Sequence, residues 1–111
     1  MKKTKLGEFE ELVLLTVIVL KEEAYGVLIK EELEKRLREK LSVGSIQSAL
    51  KRMEDKGFLD SAFGEATPIR GGKRKRIYTA TAYAQRVLIE IKEVRAGLWA
   101  SIKLSSDLKP I

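Results

Sequence analysis

SVGSIQSALKRMEDKG, at positions 42–57, decides the fold, because it contains the start, the two faces and the end of a short helix. Ser42 is a natural N-cap, since its hydroxyl can accept a hydrogen bond from an unpaired amide of the first turn. Gly57 stands where helices commonly end in a left-handed residue. Between them the apolar residues share one helical face: Ile46, Ala49, Leu50 and Met53. The opposite face is small, polar and basic, which predicts a helix docked on a core with its outer face free.

A basic β-hairpin is predicted directly after this helix. Phe58 to Phe63 reads as a strand, Gly64 to Gly72 as a turn-rich loop, and Lys73 to Thr79 as a returning strand. The loop contains Thr67-Pro68 and Gly71-Gly72, which favour turns. A helix with a free polar face followed by such a hairpin is the order of a winged helix.

Three further helices are predicted around this unit. Leu6 to Leu20 has apolar residues at three- and four-residue steps, and Leu15 and Ile18 widen the stripe, so we expect a mostly buried first helix. A second amphipathic helix is expected from Ala24 to about Lys40. After the hairpin, Thr81 can cap a last helix that extends to about Leu104.

The predicted fold class is mainly α with a small β-hairpin wing. We expect a winged helix-turn-helix domain over residues 1–80 and a long C-terminal dimerisation helix over 81–104, packed on the same domain. The tail at 105–111 is expected to fray. A chain of 111 residues suffices for one compact domain and not for a separate effector domain.

Composition excludes several functional classes. The 22 Lys and Arg against 16 Asp and Glu give a net charge of +6, which favours a polyanionic partner. Without Cys or His, the chain lacks thiolate ligands and the commonest general base, so we expect no metal, no cofactor and no enzyme. The apolar stretch from Leu12 to Leu20 is shorter than the roughly 20 residues of a membrane span. No cleavage site follows it, so a cytoplasmic protein is expected.

The third helix is a candidate recognition helix for double-stranded DNA. Its short polar and long basic side chains suit a major groove, where Gln47 could read adenine and Lys51 or Arg52 could contact guanine or phosphate. The alternative is an ordinary solvated helix face. The candidate contacts on this helix are Ser42, Ser45, Gln47, Ser48, Lys51 and Arg52.

The hairpin has the strongest local charge, with five cations within seven residues and no acid among them. A wing of this kind can follow the minor groove and neutralise phosphates. Two alternatives are a charged hairpin that only protects a sheet edge, and a protein-interaction module whose wing binds an acidic protein. The candidate wing contacts are Arg70, Gly71, Gly72, Lys73, Arg74, Lys75 and Arg76.

The last helix has apolar residues at coiled-coil spacing, which predicts a homodimer. Packing on its own domain is the alternative, but about six turns extend beyond what a three-helix core can cover. Trp99 lies on or beside this seam, either as a packing anchor or as a candidate site for a flat aromatic effector. The predicted dimer interface comprises Val87, Ile91, Val94, Leu98, Trp99 and Ile102.

Four segments of the chain resemble the PadR-like transcriptional regulators. They are Leu6-Gly7-Glu8-Phe9-Glu10-Glu11-Leu12, Ala24-Tyr25-Gly26, the stretch from Leu50 to Leu59, and Thr67 to Tyr78 with its glycine pair and basic strand. The resemblance covers about residues 6–100. It implies a homodimeric, bacterial winged-helix repressor of the short subgroup, released in some members by aromatic ligands. The family usually has a tyrosine where this chain has Gln47, and a glycine where it has Ala84.

Overall fold

The computed structural model describes residues 6–64, 74–103 and 106–108. The element order is α1 (Glu8–Leu20), a 3₁₀ turn (Lys21–Glu23), α2 (Gly26–Leu37), α3 (Val43–Asp55), β1 (Leu59–Phe63), β2 (Arg76–Ala80) and α4 (Ala82–Ser101). Four helices and one antiparallel hairpin therefore follow the predicted order.

Both predicted ends of α3 are confirmed. The Ser42 hydroxyl accepts a hydrogen bond from the Ser45 amide at 3.0 Å, and Gly57 has a left-handed φ of 83°. Gly57 lets the chain leave the helix and turn towards β1, and Phe58, which precedes that strand, is fully buried. The helix thus begins and ends where the local chemistry of its termini requires.

The core is formed where α1, α2, α3 and the hairpin meet. Its largest fully buried side chains are Phe58, Leu14, Ile29, Ile46, Leu50, Met53, Leu59, Val13 and Val17. The expectation of a mostly buried α1 is wrong on one side, because Leu15, Ile18 and Val19 are 42%, 41% and 52% exposed. The apolar stripe of α1 is wider than the surface that α2, α3 and the hairpin cover.

The hairpin is attached to the segment between α1 and α2. Leu59 pairs with Ala80 and Phe63 with Arg76 at the two ends of the ladder, so both strands are shorter than predicted. Tyr25 forms an isolated bridge with Ile77, and the Tyr78 amide donates to the Ala24 carbonyl at 2.8 Å. Ala24 is consequently not the start of the second helix, which begins at Gly26.

α4 is fixed to the domain at its first turn. The Thr81 hydroxyl accepts from the Ala84 amide at 3.1 Å and donates to the Gly57 carbonyl at 2.8 Å, which confirms the predicted cap. The rings of Phe58 and Tyr83 stack with centroids 5.0 Å apart. The helix ends at Ser101. Across the described ranges, no helix combines the length and the apolar character that crossing a membrane requires.

Candidate nucleic-acid interface

All six side chains predicted to contact DNA are exposed to solvent: Ser42 at the N-cap of α3, and Ser45, Gln47, Ser48, Lys51 and Arg52 on the helix itself. With 100° per residue, Ser48 and Lys51 lie opposite the buried stripe. Gln47 lies on one flank of this face, whereas Ser45 and Arg52 lie on the other. Lys51 is 3.8 Å from Asp55, a contact on the helix surface that leaves it accessible.

The Gln47 flank borders the start of α2 and the hairpin. A groove of about 300 Å³ lies there, lined by Tyr25, Gly26, Val27, Gln47, Lys75, Arg76 and Tyr78. Gly26 allows this close approach, because a Cβ built on it would lie 2.7 Å from Nε2 of Gln47. The candidate base-reading side chain and two candidate wing cations therefore share one surface.

The described cations of the hairpin are held by neighbouring groups. Nζ of Lys75 lies 4.1 Å from the centre of the Tyr25 ring, a cation–π contact. The Arg76 guanidinium lies 4.7 Å from the centre of the Phe63 ring and donates to the Ser61 hydroxyl at 2.8 Å. These contacts hold both charges beside α3 while leaving the residues exposed.

The tip of the predicted wing falls outside the described residues. Arg70, Gly71, Gly72 and Lys73 belong to that part of the chain, and Arg74 is the first described residue after it. Nε of Arg74 donates to the Gly64 carbonyl at 3.0 Å, which closes the described end of the hairpin.

The other flank of α3 is tied to the first turn of α1 by a buried acid. Glu10 is only 4% exposed. Its carboxylate accepts from the Gly7 amide at 2.8 Å, from Nε of Arg52 at 2.9 Å and from Nζ of Lys56 at 3.0 Å. Burial alone would raise the pKa of Glu10, but the bonds from Gly7, Arg52 and Lys56 lower that pKa to about 2. The carboxylate is therefore ionised at neutral pH.

Tyr25, Gly26 and Glu10 were not predicted as site residues. The sequence nevertheless contains a local pattern at Gly26 and another at Glu10. A glycine at a helix start is typical of a close approach by another group. Glu10 lies three residues after the N-cap Gly7, the spacing at which an acid in the first turn can accept a hydrogen bond from the N-cap amide.

The apolar seam predicted on α4 changes in exposure along the helix. Val87, Ile91 and Ile102 are partly buried, whereas Val94, Leu98 and Trp99 are 64%, 64% and 61% exposed. A cavity of about 530 Å³ lies elsewhere, between the end of α1, the hairpin and Gln85, and Trp99 does not line it.

A buried three-helix core, a hairpin attached beside the third helix and an added C-terminal helix define a winged-helix protein. The family model of the transcriptional regulator PadR-like family matches residues 14–90 of the 111-residue chain. The chain belongs to the PadR-like family of transcriptional regulators, which confirms the predicted family and implies DNA-binding regulation of transcription.

Solved structures have the same fold. A PadR-like transcription factor from Bacteroides fragilis is 22% identical, with a TM-score of 0.67 and coverage of 84% of each chain. A PadR-like transcriptional regulator from Bacillus cereus is 25% identical, with a TM-score of 0.66 over 84% of this chain and 85% of that one. RosR from H. salinarum is 21% identical, with a TM-score of 0.67 over 92% and 84%. None of the curated proteins matches the chain.

Proposed function

We propose that the protein binds specific double-stranded DNA sequences as a homodimer and represses transcription. In this proposal α3 enters the major groove, the hairpin follows the adjacent backbone, and α4 joins two copies so that two recognition helices meet two half-sites. The single observation that carries the DNA contact is the groove shared by Gln47, Lys75 and Arg76. It joins a side chain able to read a base edge to cations able to neutralise phosphates.

The exposed apolar part of α4 supports the homodimer. Val94, Leu98 and Trp99 leave large apolar surfaces in water, and a second copy would cover them. A flat aromatic effector would stack on the Trp99 indole at the same surface. Because Trp99 is the only tryptophan, quenching of its fluorescence by planar aromatic compounds tests effector binding directly.

Selection of bound duplexes from a random DNA pool tests the proposal. A two-fold symmetric sequence bound with steep salt dependence is the expected result, since each neutralised phosphate releases counterions. A well-folded protein that selects no duplex would instead favour a module that binds an acidic protein. Repression is tested separately, by a reporter gene controlled by the selected sequence.

Removal of two hairpin cations tests the wing assignment. Arg74→Ala with Arg76→Ala should weaken binding to the selected duplex and to random DNA alike, by roughly tenfold or more, and lower the salt slope by about 2. The matched control is Lys35→Ala with Lys92→Ala, which removes the same charge from exposed positions on α2 and α4. Equal affinity of the two double variants would contradict the wing assignment.

A further inference from the structure

Glu10 lies at the boundary between the core and the face of α3 proposed to meet DNA. Its carboxylate is buried, whereas the Arg52 side chain that it holds is 51% exposed. The contact joins positions 42 residues apart in the chain, so it depends on the packing of α1 against α3 and not on either helix alone.

The way in which Arg52 is held leaves part of its guanidinium for another partner. Glu10 accepts from Nε, the nitrogen closest to the aliphatic stem. A guanidinium has two further nitrogens with four N–H donors in a fixed plane, and that fork suits phosphate or a guanine edge. A contact through Nε therefore limits where the remaining donors can point.

Lys56, at the C-cap of α3, also binds the Glu10 carboxylate. Its Nζ lies 3.0 Å and 3.3 Å from the two carboxylate oxygens of Glu10. Gly7 contributes an amide from the chain just before α1. The carboxylate is thus fixed by three different donors, which makes it a rigid support for Arg52.

We infer that Glu10 is a positioning residue for DNA binding, which holds the Arg52 guanidinium at the edge of the recognition face opposite Gln47. The inference rests on the proposed function. Glu10 itself does not touch DNA, and it acts by fixing Arg52 before binding. A side chain fixed in its bound position loses less conformational entropy on association than a mobile one.

Glu10→Gln tests the inference, measured by fluorescence anisotropy on a duplex selected by the wild-type protein. The control is Glu31→Gln, which removes the same charge from an exposed position on α2. We expect at least a tenfold loss of affinity for Glu10→Gln and less than a twofold change for Glu31→Gln, at a temperature where both are folded. Equal affinities of these two variants would overturn the inference.

A double-mutant cycle separates positioning from general loosening of the fold. In an Arg52→Ala background, Glu10→Gln should change affinity by less than threefold, because the side chain it positions is gone. A full tenfold loss in that background would show that Glu10 acts on the fold alone. If Glu10→Gln does not fold, Arg52→Ala decides: a tenfold loss supports the inference, and wild-type affinity overturns it. A wild-type protein that selects no duplex counts against the proposed function instead.

Discussion

At the scale of single residues, Gly26 affects the position of the Gln47 side chain. It opens α2 beside the Gln47 amide, where a Cβ would lie 2.7 Å from Nε2. That atom is the far end of a flexible side chain, so a methyl group at position 26 would displace it at little energetic cost. The residue therefore affects where Gln47 points more than it affects stability.

Gly26→Ala should alter DNA sequence preference without destabilising the protein. We expect a free energy of unfolding between unchanged and about 0.5 kcal/mol higher, because Ala restricts the unfolded chain and favours helix. Base preference, measured by selection from a random pool, should shift in the same direction as for Gln47→Ala. Gly97→Ala is the control, since its added Cβ meets nothing within 4 Å. Unchanged preference in Gly26→Ala would mean that Gly26 does not orient Gln47.

Glu10 should make the free energy of unfolding depend on pH below about pH 4.5. Its pKa is about 2 in the folded protein against an ordinary value of 4.5, so the folded state favours the ionised form. The resulting stabilisation is fully present above pH 4.5 and is lost as the pH falls towards 2. Glu10→Gln should therefore lower the free energy of unfolding by about 1–3 kcal/mol at pH 7, and the difference should shrink below pH 4.5.

Urea unfolding of wild type and Glu10→Gln between pH 2 and pH 7 measures this difference. The two proteins differ only in the carboxyl group at position 10, so the pH dependence of their difference reports on that group. Glu31→Gln, an exposed position on α2, controls for the change in net charge. A difference between wild type and Glu10→Gln that stays constant down to pH 2 would contradict the role of the ionised carboxylate.

At the scale of elements, local chemistry made α3 and the start of α4 predictable. Ser42 and Thr81 cap their helices with side-chain oxygens, and Gly57 ends α3 with a positive φ. Each signal acts within a few residues of the boundary it sets. The outer face of α3, and with it the recognition-helix part of the candidate site, followed from the same short-range pattern.

Elements whose limits depend on distant partners were less predictable. Ala24 and Tyr25 lie outside α2 because they bond to β2, more than fifty residues later, although the local pattern suits a helix. Arg52 was predicted as a DNA contact, but its bond to Glu10 appears only once α1 and α3 pack together. Periodicity shows which side of a helix is apolar, whereas exposure of Leu15 and Ile18 depends on what covers that side.

At the scale of the whole molecule, α1 and α4 each leave several apolar side chains uncovered. α1 exposes Leu15, Ile18 and Val19, and α4 exposes Val94 and Leu98. The two helices are linked by the ion pair of Glu11 and Arg95, at 3.0 Å, so the uncovered surfaces belong to neighbouring parts of the domain. Covering them with a second copy would stabilise the dimer by roughly 25 cal/mol for each Å² of apolar surface buried. It would also set the distance between two recognition helices.

Leu98→Lys should separate the proposed dimer without unfolding the subunit. A charge in a buried interface costs several kcal/mol, so we expect the dimer Kd to rise by about 100-fold or more, measured by sedimentation equilibrium. Leu98 is exposed in the single chain, so circular dichroism should remain that of the wild type. Ile89→Lys is the control, because Ile89 is also exposed, at 56%, but lies on the opposite side of α4 from the seam. A monomeric Ile89→Lys beside a dimeric Leu98→Lys would place the interface on the other face of the helix.

The Leu98→Lys monomer should still bind a single half-site of DNA. It should lose the added affinity of the wild-type protein for the two-fold symmetric sequence, because that affinity comes from joining two recognition helices.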